Sequence, residues 1–171
     1  MKYLIAVFFF FLFTFSHKAY AESSYVLPYP GIMPGNKLYV PNQRLQTVQG
    51  HLAFGDFSQF KYNLERSDQA LVEAKTLFEY DQYPLALAAL NRSNFYFKKI
   101  YPSLLTAQKN GKKVSDKKDI YEQARLKHLE VLQDIKLDLP EVFIWRAEKK
   151  PPMTLQLGNA IEQSTKLRHG K

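Results

Sequence analysis

The stretch FSQFKYNLERSDQALVEAKTLF, residues 57–78, decides the fold. Steps of three and four from its first residue meet Phe57, Phe60, Leu64, Ser67, Leu71, Ala74 and Phe78. That is one apolar seam at helical period with a single polar member. Glu65, Arg66, Glu73 and Lys75 fall off the seam, where a helix would meet water.

Working outward, Asp81 and Gln82 read as a turn, and Pro84 belongs to the first turn of another helix, where its missing N–H costs nothing. The new seam runs Tyr83, Leu87, Leu90, Asn94, Phe97, Tyr101 and Leu104, with Pro102 expected to kink or shorten it. Gln108 to Asp119 reads as a lysine-rich loop with Gly111 in it and Ser115 as the cap that ends it. Beyond it Tyr121, Ala124, His128, Val131 and Ile135 form a third stripe, flanked by Leu129, Leu132 and Leu139 and stopped before Pro140. Short connections between long amphipathic helices favour antiparallel neighbours. The expected fold is all-α: an up-down-up three-helix bundle over residues 57–139, with a short opening helix at 42–54 ended by Gly55 and Asp56 capping the next. Gly50 weakens the opening helix. Residues 140–171 read as a short helical or mobile tail: Phe143, Ile144 and Trp145 dock in one or two helical turns, and Leu157, Ile161 and Leu167 form a weak final stripe.

Each long seam is interrupted once, by Ser67, Asn94 and His128. A hairpin turning at Asp81 puts Ser67 and Asn94 within about 1.5 Å of one height, and the following turn brings His128 to within roughly one helical turn of them. These three form an expected buried polar layer whose role is to fix helix register rather than to hold a ligand.

The N-terminus carries Lys2, the apolar run LIAVFFFFLFTFS of residues 4–16, and Ala19-Tyr20-Ala21. This is the pattern of a secretory signal cleaved after Ala21, too short to span a bilayer by the usual rule of about 20 apolar residues. The expected destination is periplasmic, cell-surface or extracellular; retention of the segment as an anchor is the alternative. Cleavage removes Lys2 and Lys18 and no acid, so the formal charge of +8 becomes +6. The chain has no cysteine, which excludes disulfides, thiolate metal sites and a lipidated N-terminal cysteine. No second apolar run is long enough to make a transmembrane helix in the mature chain.

Residues 22–41 contain YVLPYPGIMPGNKLYVP, whose Pro28, Pro30, Pro34 and Pro41 preclude a helix. A free linker would waste Tyr25, Leu27, Tyr29, Ile32, Leu38 and Tyr39, so the segment reads as an extended strap across the chain's own bundle. A tether for a partner is the competing reading.

No motif announces catalysis, a cofactor or a metal: no His-Glu-x-x-His, no calcium loop, no phosphate-binding glycine run and no nucleophile elbow. A catalytic grouping of Glu65, Asp68 and His128 is the residual enzymatic reading. The lysines at Lys109, Lys112, Lys113, Lys117 and Lys118 either solvate a loop or attract an anionic envelope component. Another exported protein is the second kind of partner. Export argues against nucleic acid, and peripheral membrane contact stays open. The expected role is therefore a non-enzymatic exported module for envelope-associated binding or assembly. The alternative is a binder of small apolar ligands or lipids in a groove under the arm, lined by Phe60, Leu64, Phe97 and Tyr101.

The segments YVLPYPGIMPGNKLYVPNQRLQ, FKYNLERSDQALVEAKTLFEYDQYPLALAALNRSNFYF and RLKHLEVLQDI resemble a bacterial exported family, domain of unknown function 5667, over most of Tyr25 to Ile135. The Leu-Pro-Tyr-Pro-Gly arm is the specific part. The resemblance implies an exported helical protein and brings no activity. This chain departs from it in the aromatic, weakly charged SQFKYNLERSDQ and in a short, proline-broken C-terminal third.

Overall fold

The computed structural model describes residues 24–149 and 151–170. The signal segment expected at 1–21 lies outside the described residues. The described chain is mostly helical: α1 (Tyr39–Leu52), α2 (Asp56–Glu79), α3 (Tyr83–Lys109), α4 (Ser115–Asp138) and α5 (Leu157–His169), with a small two-stranded sheet of β1 (Phe143–Trp145) and β2 (Met153–Leu155).

The most extensive packing is between α2 and α3, joined by a turn in which Asp81 takes a left-handed φ of 56° and accepts a hydrogen bond from Tyr83. Helix α4 touches both, and α5 lies against α3 and α4. The apolar core has two parts. One gathers Leu71, Phe78, Leu90, Leu132, Leu157 and Ile161, among others. The second is built on Phe60, Leu64, Phe97, Ile100, Leu104, Tyr121 and Ala124.

Several details differ from the sequence reading, each for a local reason. Helix α1 begins at Tyr39, so Pro41 sits in its first turn, where no intrahelical N–H is required. Gly55, at φ 86°, is the residue before α2; Asp56 is already helical and its carboxylate accepts from Asn110 and Lys112 instead of capping. Pro102 does not end α3, because it is exposed and neighbouring hydroxyls of Ser103 and Thr106 bond back to carbonyls of that turn. The buried face of α3 is rolled by about one residue, running through Ala86, Ala89, Leu90, Ser93, Phe97 and Ile100. Small alanines on that face permit close approach to α2.

The C-terminal third contains strands where helical turns were expected. Phe143 pairs with Leu155, Ile144 with Thr154 and Trp145 with Met153 in antiparallel register. Aromatic and β-branched residues flanking Pro151 and Pro152 cannot continue a helix but suit a ribbon. Alternation follows: Phe143 packs on the Tyr83 ring at 4.6 Å, while Ile144 faces out. Beyond the ribbon, α5 is a docked helix that buries Leu157, Gly158, Ile161, Ser164 and Arg168.

Candidate functional site

Between the two apolar halves lies a polar stratum. Ser67 and His128 are fully buried, and Asn94 is half-buried beside fully buried Ser93. Ser67 Oγ donates to the Ser93 carbonyl at 3.1 Å and lies 3.3 Å from Ser93 Oγ. His128 Nε2 is 2.7 Å from Asp68 Oδ1, and Arg168 Nε donates to His128 Nδ1 at 3.1 Å. Arg168 also donates from Nη1 to Asn94 Oδ1 at 2.7 Å and from Nη2 to Ser93 Oγ at 2.9 Å. Asn94 Nδ2 in turn donates to Ser164 Oγ at 2.8 Å. The structure thus brings the three sequence-singled residues to one level, but they are linked through Asp68, Ser93, Ser164 and Arg168.

Because His128 Nδ1 accepts from a guanidinium that has no lone pair to offer, the proton of the neutral ring is on Nε2 and is donated to Asp68. Burial is the main cause holding the His128 pKa below its ordinary value; the Asp68 hydrogen bond opposes it and the Arg168 charge adds to it. Burial likewise pulls Arg168 down to about 9, against the attraction of Asp68, and it remains a cation at neutral pH. A carboxylate and a guanidinium therefore balance across a neutral imidazole. Both ring nitrogens are engaged, and neither is open to a substrate. Glu65, the third member of the residual catalytic grouping, points away and pairs with Lys61 on the surface.

The arm reaches the same network. Tyr25 Oη donates to Asp68 Oδ2 at 2.6 Å, and burial with the adjacent carboxylate raises its pKa. Leu27 and Met33 pack on the first apolar core, and Tyr39 Oη donates to Glu73. Ile32 borders a cavity under α1. Two of the expected arm contacts are not made: Tyr29 is 95% exposed and Leu38 is also in solvent. Alternation holds from Tyr25 to Leu27, with Val26 facing out, and breaks at Pro28, so that Tyr29 between two prolines leaves the inner side. Tyr25→Phe should cost roughly 1.5 kcal/mol, the usual worth of a hydrogen bond to a charge, and lower the melting temperature by about 3–6 °C in circular dichroism.

The basic loop is less free than its sequence reads. Lys112 pairs with Asp56 at 3.0 Å and lies over the Phe57 ring, and Lys118 donates to Gln108. Lys109 and Lys113 are exposed, and Lys117 is half-buried. Phe60, Leu64 and Phe97, expected to line an apolar groove, are buried in the core, with Tyr101 packed against them.

Helix α1 has a feature that the sequence reading missed. It buries no residue. Its polar side faces the body: Tyr39, Asn42, Gln43, Gln46 and Thr47 border the cavity over α2 and α3, and Tyr62 Oη donates to the Gln46 carbonyl. Gln59 Nε2 donates to the carbonyls of Gly50 and Ala53, satisfying acceptors at the helix end. Gly50 gives the Tyr62 ring room, since a Cβ there would meet it at 2.6 Å and the ring would have to shift. Leu45, Val48 and Leu52 occupy the opposite side at 57%, 53% and 64% exposure. The spacing of these three was the available signal, but apolar faces usually turn to the core, and spacing alone does not show that this one turns out.

Among the described residues no group of three or more His, Asp or Glu is placed to hold a metal ion, and no helix is long and apolar enough to cross a membrane. Fold and site together define a helical module locked by a buried charge relay and presenting an apolar helix face outward. The chain belongs to the family described as Domain of unknown function (DUF5667), whose model matches residues 31–142. That span holds Asp68, Asn94 and His128 and stops before Arg168. No curated protein and no solved structure matches the chain.

Proposed function

We propose that the chain is an exported, non-enzymatic binding and assembly module that docks on an anionic envelope surface through α1. The observation that carries this reading is the inverted seating of α1, polar side in and Leu45, Val48 and Leu52 out. Val40 in the first turn of α1 and Phe54 just beyond its end are also exposed apolar groups. Residues 24–55 include Lys37 and Arg44 and no acid, so the face carries positive charge beside its apolar groups. Apolar insertion and attraction to anionic lipid act together in interfacial helices. On this reading residues 57–139 form an up-down-up three-helix base, with α2 and α3 as its most closely packed pair, and the charge relay keeps that base rigid while α1 engages. The polar lining of the cavity under the arm favours this reading over an apolar-ligand groove there.

The test is co-sedimentation of the residue 22–171 protein with phosphatidylglycerol vesicles and with phosphatidylcholine vesicles. Wild type should pellet with the anionic vesicles only, and less so as salt rises. The triple variant Leu45→Ser, Val48→Ser and Leu52→Ser should stay in the supernatant, at a melting temperature within about 2 °C of wild type because these side chains are exposed. Equal pelleting of wild type and variant would remove α1 from the reading. A wild type that ignores vesicles but forms a dimer lost in the variant would replace the membrane by a second copy.

A further inference from the structure

A cavity of about 110 Å³ lies between α1, α2, α3 and the arm, bordered by Gln43, Gln46, Arg66, Gln69, Arg92 and Tyr96. It has far more room than the roughly 10–15 Å³ that one water needs. Two guanidinium groups reach it, and they are not equivalent. Arg92 Nη2 lies 2.7 Å from Glu73 Oε1, and its guanidinium stands over the Tyr39 ring. That charge is paired, although Nη2 itself makes no hydrogen bond. Arg66, half-buried as a residue, belongs to none of the ion pairs among the described residues, and two of its three guanidinium nitrogens, Nε and Nη1, are buried without a hydrogen-bond acceptor. Its sequence neighbour Glu65 is engaged with Lys61.

A buried charged donor left without an acceptor carries a desolvation cost larger than that of any neutral group. With Glu73 cancelling Arg92, the cavity wall keeps about one net positive charge from Arg66. The side-chain amides of Gln43, Gln46 and Gln69 add neutral donors around it. A neutral apolar ligand would leave all of these unanswered. A cation would be repelled.

We propose that this cavity binds a small soluble oxyanion, a carboxylate or phosphate, with Arg66 supplying the charge and the glutamine amides completing the coordination. Such a ligand would also hold α1 to α2, since the cavity's walls are divided between those helices.

Thermal unfolding in sodium phosphate and in sodium acetate, each against sodium chloride at equal ionic strength, tests the site. Wild type should gain about 5–10 °C at a hundredfold excess of the bound anion over its Kd, saturably, and the anion that saturates at the lower concentration names the class. Arg66→Met should lose the anion-specific gain and, in chloride, melt no lower than wild type, because it removes an unanswered charge. Isothermal titration of wild type gives the same answer without a variant: one saturable binding heat supports the site. Dilution heat alone with both anions, or an equal gain in Arg66→Met, overturns it.

Discussion

Arg168→Met is expected to destabilise the fold by about 3–5 kcal/mol and to lower its melting temperature by roughly 10 °C or more. The reason is what the substitution leaves behind. Asp68 keeps a buried negative charge whose balancing cation is gone, His128 Nδ1 loses its donor, and Asn94 Oδ1 and Ser93 Oγ lose theirs. Methionine fills much of the volume, so the loss is electrostatic rather than a cavity. Arg168→Lys should rescue little, because one ammonium cannot donate in three fixed directions at once as the guanidinium fork does. Adding Asp68→Asn to Arg168→Met should recover part of the loss, since the stranded charge disappears with it. Urea unfolding of the four species measures this coupling as a double-mutant cycle. A loss below about 1 kcal/mol for Arg168→Met would mean that the relay does not hold α5 to the rest of the chain.

The legibility of this fold varied with how local each cause was. The α2 seam could be read because Phe60, Leu64, Leu71, Ala74 and Phe78 keep helical period, and all are buried. The α3 face was read one position off: leucines and aromatics mark a seam loudly, whereas Ala86 and Ala89, which set the close contact, are silent to a search for large apolar groups. The polar interruptions were visible, but their chemistry was not. Asp68 follows Ser67 directly and entered the reading only in a residual grouping with Glu65 and His128, of which the structure makes the His128 contact. Arg168 sits in a segment whose apolar stripe seemed too weak to dock. The signal was present, since Leu157, Ile161, Ser164 and Arg168 fall on one face at steps of four, three and four. Accepting it required a partner for the charge, and that partner lies a hundred residues away at Asp68. Periodicity shows that a residue faces inward; only the tertiary arrangement shows what answers its charge.

Acid should loosen the relay. In the unfolded chain the His128 imidazole takes a proton near pH 6.5, whereas in the fold burial and the Arg168 charge hold its pKa lower, with only the Asp68 hydrogen bond acting the other way. Between those two values the unfolded state binds more protons, so stability rises with pH across that window and falls as the medium is acidified through it. The stabilisation is fully present above pH 6.5. Below it the slope is at most about 1.4 kcal/mol for each pH unit, until the folded group itself titrates. Asp68 from α2 and Arg168 from α5 are the charged groups bonded to the ring, with Tyr25 on the far oxygen of the same carboxylate, so protonation would place a second cation against Arg168. His128→Gln keeps a donor for Asp68 and cannot titrate. Its unfolding free energy, measured in urea from pH 7.5 to 5, should therefore fall less steeply below pH 6.5 than that of wild type. Parallel pH profiles for the two proteins would place the acid sensitivity elsewhere.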